Sequence, residues 1–238
     1  MALTVTDASH GSFYSDLYSA LDLNESVARS SENPRVLSVL SSLLERVVVR
    51  NERYATANNY SLSPPRMTVF HGLRAPSISI GKYLERIFKY ANCSPSCFVV
   101  AYAYINRFIC QKPGISITYL NVHRLLITSV MVAAKFLDDA YYNNAYYAKV
   151  GGVTTEEMNC LELEFLFRLN FRLQVTVDVF ESYCTYLERE VTSEGGYQIE
   201  KSLQLGCSLD GTSAQSQGQK QRVVLRCSYD HNHVTIAN

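Results

Sequence analysis

Residues 121–139, NVHRLLITSVMVAAKFLDD, decide the fold. From Leu125 to Ala134 no position carries a charge, and Arg124 and Lys135 close the run on either side. A helix that is apolar all round belongs inside a bundle, because a surface helix keeps a polar stripe for water. The run is too short to cross a membrane, which takes about 20 apolar residues. Its Thr128 and Ser129 can hydrogen-bond within the helix. It reads as the buried centre of an all-α domain. Charge returns abruptly at Lys135, Asp138 and Asp139, around Phe136 and Leu137, so a functional surface is expected where this helix leaves the core.

Helical periodicity continues on both sides of it. Upstream, Ile80, Leu84, Ile87, Phe88 and Ala91 share one face, with Lys82, Glu85, Arg86 and Lys89 opposite. Ser94-Pro95 then gives a cap and first-turn pair for a helix carrying Phe98, Ala101, Tyr102, Ile105, Phe108 and Ile109. Downstream, a short helix over 144–150 is stopped by Gly151-Gly152. Thr154 with Glu157 forms a capping box before Met158, Leu161, Phe165 and Leu166. A last helix starts near Thr176 and carries Val179, Phe180, Tyr183, Cys184 and Leu187. An additional helix begins at Asn33-Pro34, with Leu37, Leu40, Leu43, Leu44, Val47 and Val48 at spacings of three and four. The Asn- and Pro-bearing stretch 58–76 is a connector, with Phe70 as its anchor.

The expected organisation is therefore a disordered N-terminal arm over 1–32, where Phe13, Tyr14 and Tyr18 dock weakly, then a helical domain over 33–191 and a flexible tail over 192–238. Within the tail only the run Arg222 to Arg226 has strand character.

Lys plus Arg (22) balance Asp plus Glu (22), so net charge points neither to nucleic acid nor to an anionic membrane. The seven cysteines lack metal-type spacing and several sit at apolar helix positions, as reduced thiols of an intracellular protein do. The N-terminus, with Asp7 and His10, has no apolar secretory stretch. No phosphate loop, His-Glu-x-x-His or Gly-x-Ser-x-Gly is present, which argues against an enzyme. Cys93 with Cys97, His71, His123 and the tail pair His231 and His233 make no convincing metal set, so neither a metal nor another cofactor is expected.

Lys135 and Glu162 stand out among the charges. On spacing alone each has a structural reading. Lys135 favours the negative end of its helix, and Glu162 is a solvated position beside Glu164, which pairs with Arg168.

Read together, Tyr104-Ile105-Asn106-Arg107-Phe108, Ala133-Ala134-Lys135-Phe136-Leu137-Asp138-Asp139, and Leu161-Glu162 through Phe165-Leu166 to Leu169-Asn170-Phe171 resemble a cyclin box. The stretch 119–171, with Tyr141-Tyr142-Asn143-Asn144 inside it, is similar to the plant U-type cyclins, also called P-type and related to fungal cyclins of phosphate signalling. The likeness covers about 34–191 and implies a single cyclin box, a five-helix bundle around the buried central helix, preceded by one more helix. It also implies a regulatory subunit without catalytic residues, which binds and activates a cyclin-dependent serine/threonine kinase, in plants of the A type, in cell-cycle or nutrient-linked control. The family's kinase-binding lysine and glutamate map onto Lys135 and Glu162, with Phe136 and Leu137 in the apolar part of the interface. Residence in nucleus and cytoplasm is expected by family alone.

The sequence departs from mitotic cyclins in two ways. Asn106 replaces the aspartate of a buried Asp–Arg pair, a loss that is tolerable when both partners go. The absence of Trp puts the Trp-lined substrate groove in doubt. Two rival readings keep the fold but not the kinase. One is a transcription-factor-type module, which wants a basic face for phosphate contacts. The other is an all-α scaffold.

Overall fold

In a computed structural model the described residues are 16–23, 33–57, 67–111 and 115–192. They form an all-α assembly, and no strand occurs among them. The helices are α1 (Arg35–Ala57), α2 (Ile80–Ala91), α3 (Pro95–Cys110), α4 (Val122–Leu137), α5 (Asn144–Gly151), α6 (Thr155–Arg168) and α7 (Val177–Thr192). Of the expected tail, residues 193–238 lie outside the described ones, the run Arg222 to Arg226 with them.

α4 is the centre. Its residues from Leu125 to Ala134 are all buried, and α3, α2, α5 and α6 pack around it. Thr128 and Ser129 return their hydroxyl protons to the Arg124 and Leu126 carbonyls at 2.7 and 3.0 Å, so neither brings an unpaired polar group into the core. α1 lays its Leu37, Leu40, Leu43, Leu44, Val47 and Val48 face on α2, α3 and α7.

The helix ends follow their local chemistry. Ser79 caps α2 by accepting from Lys82 N–H, and Thr154 caps α6 by accepting from Glu157 N–H at 3.1 Å. The Glu157 carboxylate does not close the box; it pairs with the Arg124 guanidinium and ties α6 to the entrance of α4. Gly152 ends α5 with φ of 73°, a conformation glycine adopts without steric cost. Gly151 lets α5 approach closely, because a Cβ there would stand 2.9 Å from Ile127 Cγ1. The connector is anchored by Phe70, which meets Phe108 edge-on at 4.9 Å, while Phe108 stacks on Phe165 at 5.2 Å.

Two expectations need correction. Within the stretch read as a disordered arm, residues 16–20 are helical, and Leu17, Leu21 and Leu23 are buried. Tyr18 meets Phe180 at 6.0 Å, and the Asp22 carboxylate accepts from Arg35 N–H at 3.0 Å, capping α1. Three leucines on eight residues bury enough apolar surface to hold so short a piece against α1 and α7. The replacement at Asn106 is not free of cost either. Asn106 is 1% exposed and both its amide atoms lack a hydrogen-bond partner. An unpaired buried amide costs about 1–3 kcal/mol.

Candidate functional site

The exit of α4, the start of α5 and the middle of α6 meet at one place. Lys135, on the last turn of α4, donates from Nζ to Glu162 Oε1 at 2.7 Å. It also donates to Asn144 Oδ1 at the first position of α5. Asn144 Nδ2 in turn donates to Glu162 Oε2 at 2.6 Å and to Asn159 Oδ1 at 2.8 Å. Lysine, asparagine and glutamate thus close a ring across three helices.

Spacing alone gives Lys135 and Glu162 separate structural explanations and the resemblance assigns both to one surface, whereas the structure joins them directly and buries most of each. Their side chains are 25% and 18% exposed. α6 packs against α4, and an acid on the flank of α6 next to a lysine at the end of α4 has nowhere closer to place its charge. The expected Glu164–Arg168 pair forms separately, at 3.2 Å.

Phe136 and Leu137, which follow Lys135, are 49% and 44% exposed. On α6, Leu163 and Phe167 are exposed, and beyond it Phe171. Phe171 enters the sequence reading only within a motif and none of these last three is assigned there to the site, although their spacing of four, starting from Glu162's neighbour, was a signal. A turn beyond the end of α6 places Phe171 at the surface. Asn170 and Phe171 have φ of 51° and 57°, and the turn is closed by Asn170 N–H to the Phe167 carbonyl at 3.1 Å and Phe171 N–H to the Leu166 carbonyl at 3.0 Å. A left-handed Phe stores strain of about 1–3 kcal/mol, which is tolerated where surrounding structure imposes it. Phe171 meets Phe167 edge-on at 5.3 Å. Apolar side chains of this size are not left in water for stability.

The ring retains capacity for a partner. Lys135 uses two of its three N–H donors, and each Glu162 oxygen accepts one bond and has room for another. A polypeptide arriving here meets a cationic donor and an anionic acceptor set among apolar side chains. That combination fixes register through backbone C=O and N–H groups while apolar burial supplies affinity.

Asp138, next along the sequence, has a structural task. Its carboxylate accepts from Ser94 N–H at 3.2 Å, Ser94 Oγ at 3.0 Å and Cys97 Sγ at 3.3 Å. The hydrogen bond with Cys97, together with burial, pushes the Cys93 thiol well above its ordinary range. Cys93, Cys97 and Cys184 are free and buried, and Cys160 is a partly buried thiol. The expectation of reduced thiols throughout needs correction, because Cys110 at the end of α3 is disulfide-bonded.

Among the described residues, an all-α bundle is built on a buried helix and carries a lysine–glutamate pair at that helix's exit. The sequence profile of the cyclin family matches residues 34–173, and the chain belongs to that family. More particularly, it is similar to plant U-type and P-type cyclins. It is 61% identical to Cyclin-U4-1 of Arabidopsis thaliana over 168 residues, covering 68% of this protein and 80% of that one. It is 51% identical to Cyclin-U2-2 of the same plant over 190 residues, 79% and 80% of the two. With Cyclin-P4-1 of Oryza sativa subsp. japonica the identity is 54% over 159 residues, 67% and 75%. The fold is accordingly an all-α cyclin box, and the role of the family is regulatory.

Proposed function

We propose that the protein is the regulatory subunit of a cyclin-dependent serine/threonine kinase, of the A type, which it binds and activates through Lys135, Glu162, Phe136 and Leu137. The observation that carries this reading is the Lys135–Glu162 pair set beside exposed Phe136 and Leu137. Lys135 donates its remaining proton to a kinase carbonyl, Glu162 accepts a kinase N–H, and the apolar side chains bury against the kinase's mobile helix. Holding that helix inward brings its glutamate to the ATP-site lysine. The cyclin itself supplies no reacting group. Activation is a population shift, and moving a two-state kinase from almost wholly inactive to almost wholly active takes a differential affinity of about 5.5 kcal/mol. An apolar interface with two charged anchors can supply this, since buried apolar area contributes about 25 cal/mol per Å². The working place of such a complex is intracellular, in nucleus and cytoplasm.

The test is size-exclusion co-elution of the purified protein with an A-type cyclin-dependent kinase, followed by phosphorylation of histone by the complex. Co-elution with activity is expected. A folded protein that elutes alone removes that kinase as the partner.

A further inference from the structure

The Lys135–Glu162 pair is not self-sufficient, and Asn144 is the residue that completes it. The two adjacent asparagines divide the work at the start of α5. Asn143 Oδ1 caps the helix by accepting from Tyr146 N–H at 3.0 Å. Asn144 is left to point its amide at α4 and α6, where it touches both members of the pair. Its oxygen takes a Lys135 proton, and its nitrogen gives one proton to Glu162 and the other to Asn159. An amide suits this position because it offers acceptor and donors on one planar group. A carboxylate would meet Glu162 as a like charge, and an ammonium would meet Lys135 as one.

The consequence concerns the geometry of the pair. Lysine has four side-chain torsions and glutamate three, and a single ion pair at a partly exposed site fixes neither against solvent and entropy. The asparagine adds a bond to each, so both heads are held in one arrangement before a partner arrives. Pre-organised groups lose less freedom on binding. The far end of α5 is itself fixed, with Tyr83 Oη donating to the Gly151 carbonyl at 3.0 Å and Gly151 seated against Ile127. The amide is therefore held from a rigid helix.

We propose that Asn144 is the positioning residue of the docking site: it orients Lys135 and Glu162 toward the kinase without contacting the kinase itself. The second half of this inference rests on the kinase-binding reading above, whereas the first can be tested without any kinase.

The experiment has two readouts on the full-length protein. In the free protein, acylation of Lys135 by a small activated ester, followed by mass spectrometry with Lys82 and Lys89 as internal standards, reports whether the ammonium is held. Asn144→Ala is expected to raise the Lys135 rate several-fold and leave the other two unchanged. Asn144→Asp, which keeps the acceptor for Lys135, is expected to leave that rate low. In the complex, Asn144→Ala is expected to weaken kinase affinity about tenfold, as loss of a pre-organising contact does. Asn144→Asp should weaken it as well, since the new carboxyl displaces Glu162. In a Lys135→Ala/Glu162→Ala background the further change Asn144→Ala should have no effect, because a residue that acts only through the pair has nothing left to act on.

An unchanged Lys135 rate in Asn144→Ala overturns the positioning role. Effects that add fully in the triple variant overturn it too, and make Asn144 a direct contact. If the rate rises but the wild-type protein binds no kinase, orientation of the pair by Asn144 stands and the kinase assignment falls.

Discussion

Asp138 closes the N-terminus of a helix that begins 43 residues earlier, accepting from Ser94 N–H at 3.2 Å and from Ser94 Oγ at 3.0 Å. Ser94 makes no capping bond with its own side chain, so the first turn of α3 is capped from the exit of α4. This locks the end of the central helix, where Lys135 stands, to the neighbouring element. Asp138→Ala should cost about 1–3 kcal/mol, as loss of a charge-assisted cap leaves partly buried donors unpaired. Asp138→Asn, which retains the acceptor, should cost less. Urea unfolding of the two variants checks the order.

Phe165→Ala should destabilise by about 3–5 kcal/mol, since it empties the cluster in which Phe108 stacks on Phe165 and Phe70 meets both. Leu126→Asp puts a charge in the core beside α3 and should prevent folding altogether. A native-like circular dichroism spectrum for the second variant would contradict the placement of α4.

Asn106→Leu should stabilise the domain by about 1 kcal/mol, because it replaces an amide with no partner by an apolar group of similar shape. Thermal unfolding measures it, and a fall in melting temperature would show that the amide is satisfied in solution.

Acid should weaken the fold before the carboxylates titrate. His71 and His123 are both held below the ordinary histidine value of 6.5, chiefly by burial. His123 Nε2 donates to the Ile78 carbonyl at 2.9 Å, and His71 lies 3.1 Å from Asn121 Nδ2. With folded-state values lowered, the unfolded protein binds the proton more readily. Their stabilisation is complete above pH 6.5 and is lost as pH falls below it, at up to about 1.4 kcal/mol per pH unit for each group. Urea midpoints between pH 7.5 and 5 should fall, and His71→Gln with His123→Gln should flatten that profile.

The helices were legible in the sequence because their signals are local. The uncharged run from Leu125 to Ala134 fixes α4, and Ser94-Pro95, Thr154 and Gly151-Gly152 mark ends that the structure reproduces within a residue or two. The site was legible in part. Lys135 and Glu162 stood out, but their pairing did not, since nothing in a sequence says that positions 27 apart will meet at 2.7 Å. Asn144 was hidden by Asn143, because two adjacent asparagines before a helix read equally well as its cap. Leu17, Leu21 and Leu23 were hidden by the polar residues around them, which outweigh three leucines in any compositional window.

The proposed anchoring of a kinase by Lys135 and Glu162 is tested most directly by the affinity of the Lys135→Ala/Glu162→Ala variant for an A-type cyclin-dependent kinase, measured by titration calorimetry. Removing two charged anchors from the middle of an apolar interface is expected to weaken binding by at least about 3 kcal/mol, over a hundredfold. Circular dichroism should show the domain still folded, since the pair is only partly buried. Wild-type affinity in a folded double variant would contradict the account.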